Sequence, residues 1–424
     1  MRVVHFTNTL QDGAGKAAYR LHRALLDRGI DSFMLVLQSG REDTKVIGVP
    51  KAKGVSLIRK KILWKSRTAR FGPRCLFNFN IAFICWDDIK EFLKDVDVVC
   101  LYSIQAFLSA DMIRQIQKAT GAPIVWTPLD IEPMTGGCHF NNECMHFTRS
   151  CGDCPQLTRR GGHDISNRIL AQKRTAYKEL SITFVAGSST ARKCIEVSSI
   201  FGAPRIKDVF LGVEETISRT IDQKTARDEL DLPEDKKIIL FGAFNLQDRR
   251  KGGRILLSAL KELQSKLETL ADRYRDAITL VTIGRQNGFE LKNFSFDHVH
   301  LGRIIDERQL ACIYHAADVL AVPSLDDFGP LMVNQAFMCG TPVVAFHVGV
   351  APDLIKSKKT GYLARNFSAE DFAEGLFKCL WSRDHSEVEI DRLLRDACRS
   401  SSQADQYISL FEELTGKTGV DQRD

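Results

Sequence analysis

Short apolar runs, rich in β-branched residues, alternate along the whole chain with longer stretches whose apolar positions recur every three or four residues. The short runs read as strands buried on both faces and the longer stretches as amphipathic helices, so the alternation predicts α/β units wound around parallel sheets. In the first half the strand runs are Val3 to Phe6, Met34 to Leu37, Val96 to Tyr102, Ile124 to Thr127 and Ile182 to Ala186. A second series comprises Ile238 to Phe241, Thr279 to Ile283, His298 to Leu301, Val319 to Val322 and Val343 to Phe346. Between them Glu214 to Lys237 is charged and lacks a strong period, which places the join at Leu211-Gly212-Val213. The expected organisation is a first doubly wound domain over 1–212, a second over 213–395, and a closing helical segment over 396–424. That segment ends a helical pattern running from Asp384 through Leu414, long enough to leave the second domain and pack back on the first. Two such domains facing each other leave a cleft at the carboxyl ends of their strands, where ligands of doubly wound folds bind.

Composition narrows the class. With 424 residues, 44% hydrophobic and 26% charged, the chain has the profile of a globular protein of two or three domains at about 150 residues each. The net charge of +6 is too small to argue for nucleic acid. No apolar run approaches the roughly 18 residues of a membrane span, and the opening Met1-Arg2-Val3-Val4-His5-Phe6 is strand-like rather than a signal sequence. A cytoplasmic protein is therefore expected, with its twelve Cys free or metal-bound rather than disulfide-paired. Charge is nonetheless concentrated between Lys51 and Arg74, which hold nine Lys or Arg and no acid, among them Arg59, Lys60, Lys61 and Lys65. Leu57, Ile58, Ile62, Leu63, Trp64 and Phe71 fall between them at near-helical spacing. This segment suits the surface of an anionic bilayer, at about 1 kcal/mol per basic residue; the alternative is a solvated helix and loop, and RNA is a weaker third partner.

Four motifs carry candidate chemistry. After the first strand, Asp12-Gly13-Ala14-Gly15 opens a helix, where glycines admit a ligand to the backbone and free N–H groups face an anion. It is neither a P-loop nor a GxGxxG turn, and a simple tight turn is the alternative. Further on, Cys138, Cys144, Cys151 and Cys154 have the spacing C-x5-C-x6-C-x2-C, four thiolates with the closing CxxC knuckle of tetrahedral structural zinc. Buried free thiols, or disulfides in an oxidising compartment, are the alternatives; His139 and His146 are lesser ligands, and four protein ligands would leave no open position for a catalytic water. In the second half Phe241-Gly242-Ala243 is followed by Asp248-Arg249-Arg250-Lys251-Gly252-Gly253, cations beside glycines at a helix start, which fit a diphosphate, with a charged surface loop as the alternative. Finally, Asp326, Asp327 and, eight positions after Asp327, Gln335 could hold ribose or sugar hydroxyls from a strand-end loop and its helix; a pair of solvated loop acids is the alternative.

Together these residues resemble a family 4 glycosyltransferase of the GT-B fold, two Rossmann-like doubly wound domains facing across a cleft. Pro323 to Ala345, with Cys339-Gly340-Thr341-Pro342-Val343-Val344-Ala345, is similar to that family's donor-site block, and Arg250-Lys251-Gly252 to its diphosphate clamp. Gly349-Val350-Ala351-Pro352-Asp353 and Thr360-Gly361-Tyr362-Leu363 resemble its next segments, and Thr135 to Leu157 is like a TGGCH…C…CGxCPQL signature of a bacterial polysaccharide-making subset. The resemblance implies transfer of a sugar from a nucleotide-sugar donor, such as a UDP- or GDP-sugar, to a glycan or lipid-linked oligosaccharide. Transfer would retain the anomeric configuration and need no catalytic metal, in surface polysaccharide synthesis at the inner face of the plasma membrane. It implies catalytic roles for Lys251, Arg250, Asp327 and Asp130, and donor contacts from Gly13, Gly15, Gly242, Gly302, Arg303, Ile304 and Gln335. The sequence departs from the pattern where Gln335 replaces an acid, where Leu129 stands for a His before Asp130, and where Tyr102-Ser103 replaces His-Trp. A noncatalytic homologue that binds a nucleotide-sugar or glycan as a regulatory subunit is the alternative.

Overall fold

The computed structural model describes residues 1–38, 43–52, 77–158, 160–218, 221–270, 277–286, 296–356, 360–365, 367–381 and 392–418. Nearly all of the basic segment expected at a membrane surface lies outside them. Among the described residues, no helix is long and apolar enough to cross a membrane.

Contacts divide the chain into two units, residues 1–210 with 403–424, and residues 211–402. The first holds β1 (Arg2–Thr9), β2 (Asp31–Gln38), β3 (Val46–Gly48), β4 (Val98–Leu101), β5 (Ile124–Trp126), β6 (Ile182–Ala186) and β7 (Arg205–Asp208), ordered β3-β2-β1-β4-β5-β6-β7. Every pairing is parallel, and the reversal of winding at β1 and β4 makes the sheet doubly wound. The central strands are buried along almost their whole length, the two-sided burial their unbroken apolar runs require.

The second unit repeats the plan with β8 (Lys237–Asn245), β9 (Ile278–Arg285), β10 (Asp297–His300), β11 (Val319–Val322), β12 (Val343–Phe346) and β13 (Gly361–Ala364), ordered β10-β9-β8-β11-β12-β13 and again all parallel. Its core joins Ile239, Phe241, Leu280 and Val344 to Leu256, Leu260 and Leu263 on one helix and Phe372 and Leu376 on another.

The helices used below are α1 (Gly13–Asp27), α2 (Ile165–Tyr177), α3 (Gly253–Leu270), α4 (Leu331–Cys339) and α5 (Ser400–Thr415). The side chain of Asp12 caps α1 by accepting the Gly15 N–H at 2.8 Å, and Gly29, at φ +77°, lets the chain turn away after it. The described part of the closing helical pattern is interrupted between Ala397 and Ser400. There Val213 N–H donates to Cys398 O and Ser400 N–H to Val213 O, so residues 396–402 stay with the second unit and the division falls at 402/403 rather than 395/396. Beyond it, Ala404, Tyr407, Leu410 and Phe411 of α5 join Val3, Leu21 and Val98 in the core of the first unit. The Tyr407 hydroxyl fixes the docking through a 2.6 Å hydrogen bond with Thr127 Oγ1.

Candidate functional site

In the second unit β8 runs into a 3-10 turn, Arg249–Lys251. Asp248 caps that turn, accepting the Arg250 N–H at 3.1 Å and pairing with its guanidinium at 2.6 Å. Gly252 then adopts φ +70°, and a Cβ there would stand 1.7 Å from Pro323 O, so two loops meet at a place only glycine fits. Leu325 N–H donates to Arg250 O at 2.7 Å across the same contact. This close approach brings together residues 76 apart in sequence, and the Lys251 ammonium pairs with the Asp327 carboxylate. Burial works against charge on Asp327, yet Lys251 beside it, with Arg250 further out, holds its carboxyl below the usual range. Two cations and two acids thus form one largely balanced cluster at the start of α3.

The other expected donor residues differ in what they do. Gly242 is required by packing, since a Cβ would lie 2.5 Å from Met332 Cε and 2.6 Å from Ile283 Cγ1. Gly302, at φ +70°, faces open space and its carbonyl accepts the Gly284 N–H at 2.7 Å. Next to it, Arg303 and Arg285 lie over the exposed ring of Phe244 at 5.7 and 4.7 Å, while Ile304 is half-buried. Gln335, on α4, is buried, and its side-chain oxygen accepts the Tyr314 hydroxyl at 2.9 Å. The structure therefore gives Gln335 a core partner that its place in the motif does not reveal.

In the first unit Gly15 is structural, because a Cβ would stand 1.8 Å from Thr9 O, whereas Gly13 has nothing within 4 Å. Burial raises the pKa of Asp12, and the Asp130 carboxylate adds to the effect, so these two acids share one neighbourhood. Asp130 in turn accepts from Glu132 N–H at 2.9 Å and pairs with His139 Nδ1 at 2.7 Å. Burial opposes charge on His139, but Asp130 overrides it and raises the imidazole pKa above its ordinary value. Leu129 is half-buried against the apolar core of this unit, so the ring near Asp130 comes from position 139 and not from 129. Beneath the segment lies an ion pair invisible to motif reading. Lys173 Nζ, on α2, donates to Glu132 Oε1 at 2.5 Å, Glu132 O at 2.6 Å and Thr135 O at 3.1 Å, with both side chains buried.

The four cysteines of the expected metal set, with His146, line one cavity in this unit. Burial raises the thiol pKa values of Cys138, Cys151 and Cys154, to about 11 for the last two. Among the described residues, no three His, Cys, Asp or Glu side chains are gathered closely enough to hold a metal ion as they stand.

Residues 235–381 match the model of the family described as Glycosyl transferases group 1. Similar curated proteins include D-inositol 3-phosphate glycosyltransferase 2 of Catenulispora acidiphila, 26% identical over 54% of this chain and 56% of the relative. The D-inositol 3-phosphate glycosyltransferase of Corynebacterium jeikeium is 32% identical over 45% and 46%. The chain thus spans about half the length of these two relatives. WcaC of Escherichia coli, named for colanic acid biosynthesis glycosyl transfer, is 23% identical over 98% of this chain and all of its own. Among solved structures, sucrose-phosphate synthase of Thermosynechococcus elongatus has a TM-score of 0.65 at 15% identity, covering 98% of this chain and 99% of that one. HepE of Anabaena, in complex with UDP and glucose, has a TM-score of 0.65 at 14% identity, covering 98% and 100%. The chain therefore has the GT-B fold, and its second unit carries a glycosyl transferases group 1 domain.

Proposed function

We propose that the protein transfers a sugar from a nucleotide-sugar to a glycan or lipid-linked oligosaccharide, with retention of configuration, in surface polysaccharide synthesis at the cytoplasmic face of the membrane. The observation that carries this reading is the cluster of Arg250, Lys251 and Asp327 at the start of α3, inside the group 1 domain. In that reading the donor diphosphate competes with Asp248 and Asp327 for the two cations. The bond from the sugar's anomeric carbon to the β-phosphate oxygen breaks, and the acceptor oxygen bonds to that carbon on the same face. The acceptor's proton passes to the departing phosphate, whose growing charge Arg250 and Lys251 offset. Donors carrying UDP are supported by the UDP held in the similar fold of HepE, and the polysaccharide role by the full-length similarity to WcaC.

The engagement of Gln335 with Tyr314 and the leucine at position 129 favour a second reading, binding without turnover. Calorimetric titration with UDP-, GDP- and ADP-sugars without added metal, followed by a turnover assay with the donor that binds, separates the two. Micromolar binding with transfer or slow donor hydrolysis is expected, and Lys251→Ala should lower turnover about 100-fold or more while the chain stays folded. Binding without any turnover would select the second reading, and no binding across the panel would refute the donor site and leave only a noncatalytic, glycan-binding form of the second reading.

A further inference from the structure

The cavity among the cysteines is unused by the donor and acceptor residues. Its volume is about 20 Å³, and a site of roughly 10–15 Å³ already holds one water, so there is room for a single ion. Cys138, Cys144, Cys151 and Cys154 all reach its wall, with His146 beside them.

The chain goes to some cost to make this wall. Cys151 and Asp153 adopt φ +51° and +44°, left-handed conformations that non-glycine residues avoid at about 1 kcal/mol or more each. Gly152 between them, at φ +98°, has no room for a Cβ, which would meet Gly162 O at 2.3 Å. The twisted knuckle is held by Gly152 N–H donating to Ser166 Oγ at 3.0 Å, Asp153 N–H to Gly161 O at 2.7 Å and Cys154 N–H to Asp164 Oδ2 at 2.8 Å. Asp164 is the cap of α2, so the CxxC turn is anchored to a regular helix.

The first cysteine is fixed as well, because the Thr135 hydroxyl donates to Cys138 O at 2.8 Å. Four thiolates on the wall of one small cavity would repel each other unless a cation joined them.

We propose that Cys138, Cys144, Cys151 and Cys154 bind one structural zinc ion as a tetrahedral set of thiolates. Side-chain rotation into the cavity closes the set, each thiol gives up its proton to solvent, and no oxidant takes part. His146 donates through Nδ1 to Gly152 O at 3.0 Å and stays outside the four. The ion ties together the 138–154 segment, whose regular helical piece is the short 3-10 turn His146–Thr148 and whose His139 pairs with Asp130.

The test uses the full chain, purified under reducing conditions without added metal. Elemental analysis should find about one zinc per chain, and X-ray absorption should find sulfur neighbours at about 2.3 Å. Replacement by cobalt should produce the thiolate-to-cobalt charge-transfer bands of a tetrahedral site. Cys151→Ser/Cys154→Ser should lower the zinc content at least tenfold, while Cys85→Ser and His146→Ala should leave it unchanged. Should the double variant fail to fold, the absorption and cobalt measurements on the native chain decide. A folded native chain that holds no zinc and takes up no cobalt would overturn the proposal, as would disulfides found by intact mass or a zinc lost with His146 but kept without Cys144. None of these measurements depends on nucleotide binding.

Discussion

Replacing Lys173 by Met tests whether the buried pair beneath the 130–139 segment holds that segment together. The side chains of Lys173 and Glu132 are 2% and 4% exposed, and Lys173 Nζ makes three hydrogen bonds, one to the Glu132 carboxylate and two to backbone carbonyls of the segment. Met keeps the buried hydrocarbon and removes only the ammonium. Glu132 is left with Asn78 Nδ2 at 2.8 Å as its remaining side-chain donor. Breaking one partner out of a buried pair costs about 3–5 kcal/mol, because the survivor keeps its desolvation penalty without its compensation. For a unit of this size each kcal/mol moves the melting temperature by about 2–4 °C, so a drop of roughly 6–20 °C is expected for the first unit. Differential scanning calorimetry resolves this if the second unit's transition stays in place. The double variant Lys173→Met/Glu132→Leu should recover most of the loss, since no charge is then stranded. A single variant within about 1 kcal/mol of the native chain, or a double variant as unstable as the single, would refute the reasoning.

Two further predictions concern the first unit. His22 is buried, its Nδ1 is hydrogen-bonded to Ser32 Oγ at 2.7 Å, and among the described residues Nε2 has no hydrogen-bond partner, so burial lowers its pKa from 6.5 to about 4. The unfolded chain takes up this proton below pH 6.5 and the folded one resists it, so stability should fall by about 3 kcal/mol as pH drops from 6.5 to 4. Urea unfolding across that range should show a shallower slope for His22→Gln, and an unchanged slope would count against the argument. Gly15→Ala should lower the melting temperature markedly, as its Cβ meets Thr9 O at 1.8 Å, whereas Gly13→Ala, with nothing within 4 Å, should leave it almost unmoved; equal melting temperatures for the two variants would contradict the packing described.

What could be read in the sequence follows from where burial is two-sided. All ten expected strand runs are present, and for all but the half-buried edge strand β10 the reason is that a parallel strand covered on both faces must be a largely continuous apolar run. The strands not anticipated, β3, β7 and β13, lie at sheet edges, and β7 reads Arg-Ile-Lys-Asp with two exposed ends, indistinguishable from a loop. Arg250, Lys251 and Asp327 were legible as motif residues, and the structure adds that Gly252 against Pro323 is what brings them together. The Lys173–Glu132 pair was not, since a lysine in a helical pattern declares nothing about a carboxylate 41 residues away. Gln335 illustrates the opposite case: its position is conspicuous in the motif, but its partner Tyr314 is set by the packing of α4.

The pairing of Asp130 with His139 reassigns a role that the sequence placed on Asp130 alone. The His139 side chain is 3% exposed and that of Asp130 is 19%, so the carboxylate is the group a ligand can reach and the ring is a positioning residue behind it. Burial alone would push the His139 pKa down; the Asp130 carboxylate at 2.7 Å, with Glu132 further off, reverses the sign. A pKa raised on folding contributes stability that is complete below the unfolded value of about 6.5 and is lost as pH rises through the folded value. Asp130→Asn removes the larger of the two raising charges and leaves Glu132 opposed by burial and Lys173, so the His139 pKa should fall and its share of the pH dependence should shrink. Titration of the His139 ring resonances by NMR reads this directly, and His139→Gln identifies them. A ring that titrates identically in the native chain and in Asp130→Asn would show that Asp130 does not set its charge, and the carboxylate would then be held by its own loop, through Glu132 N–H, rather than by the imidazole.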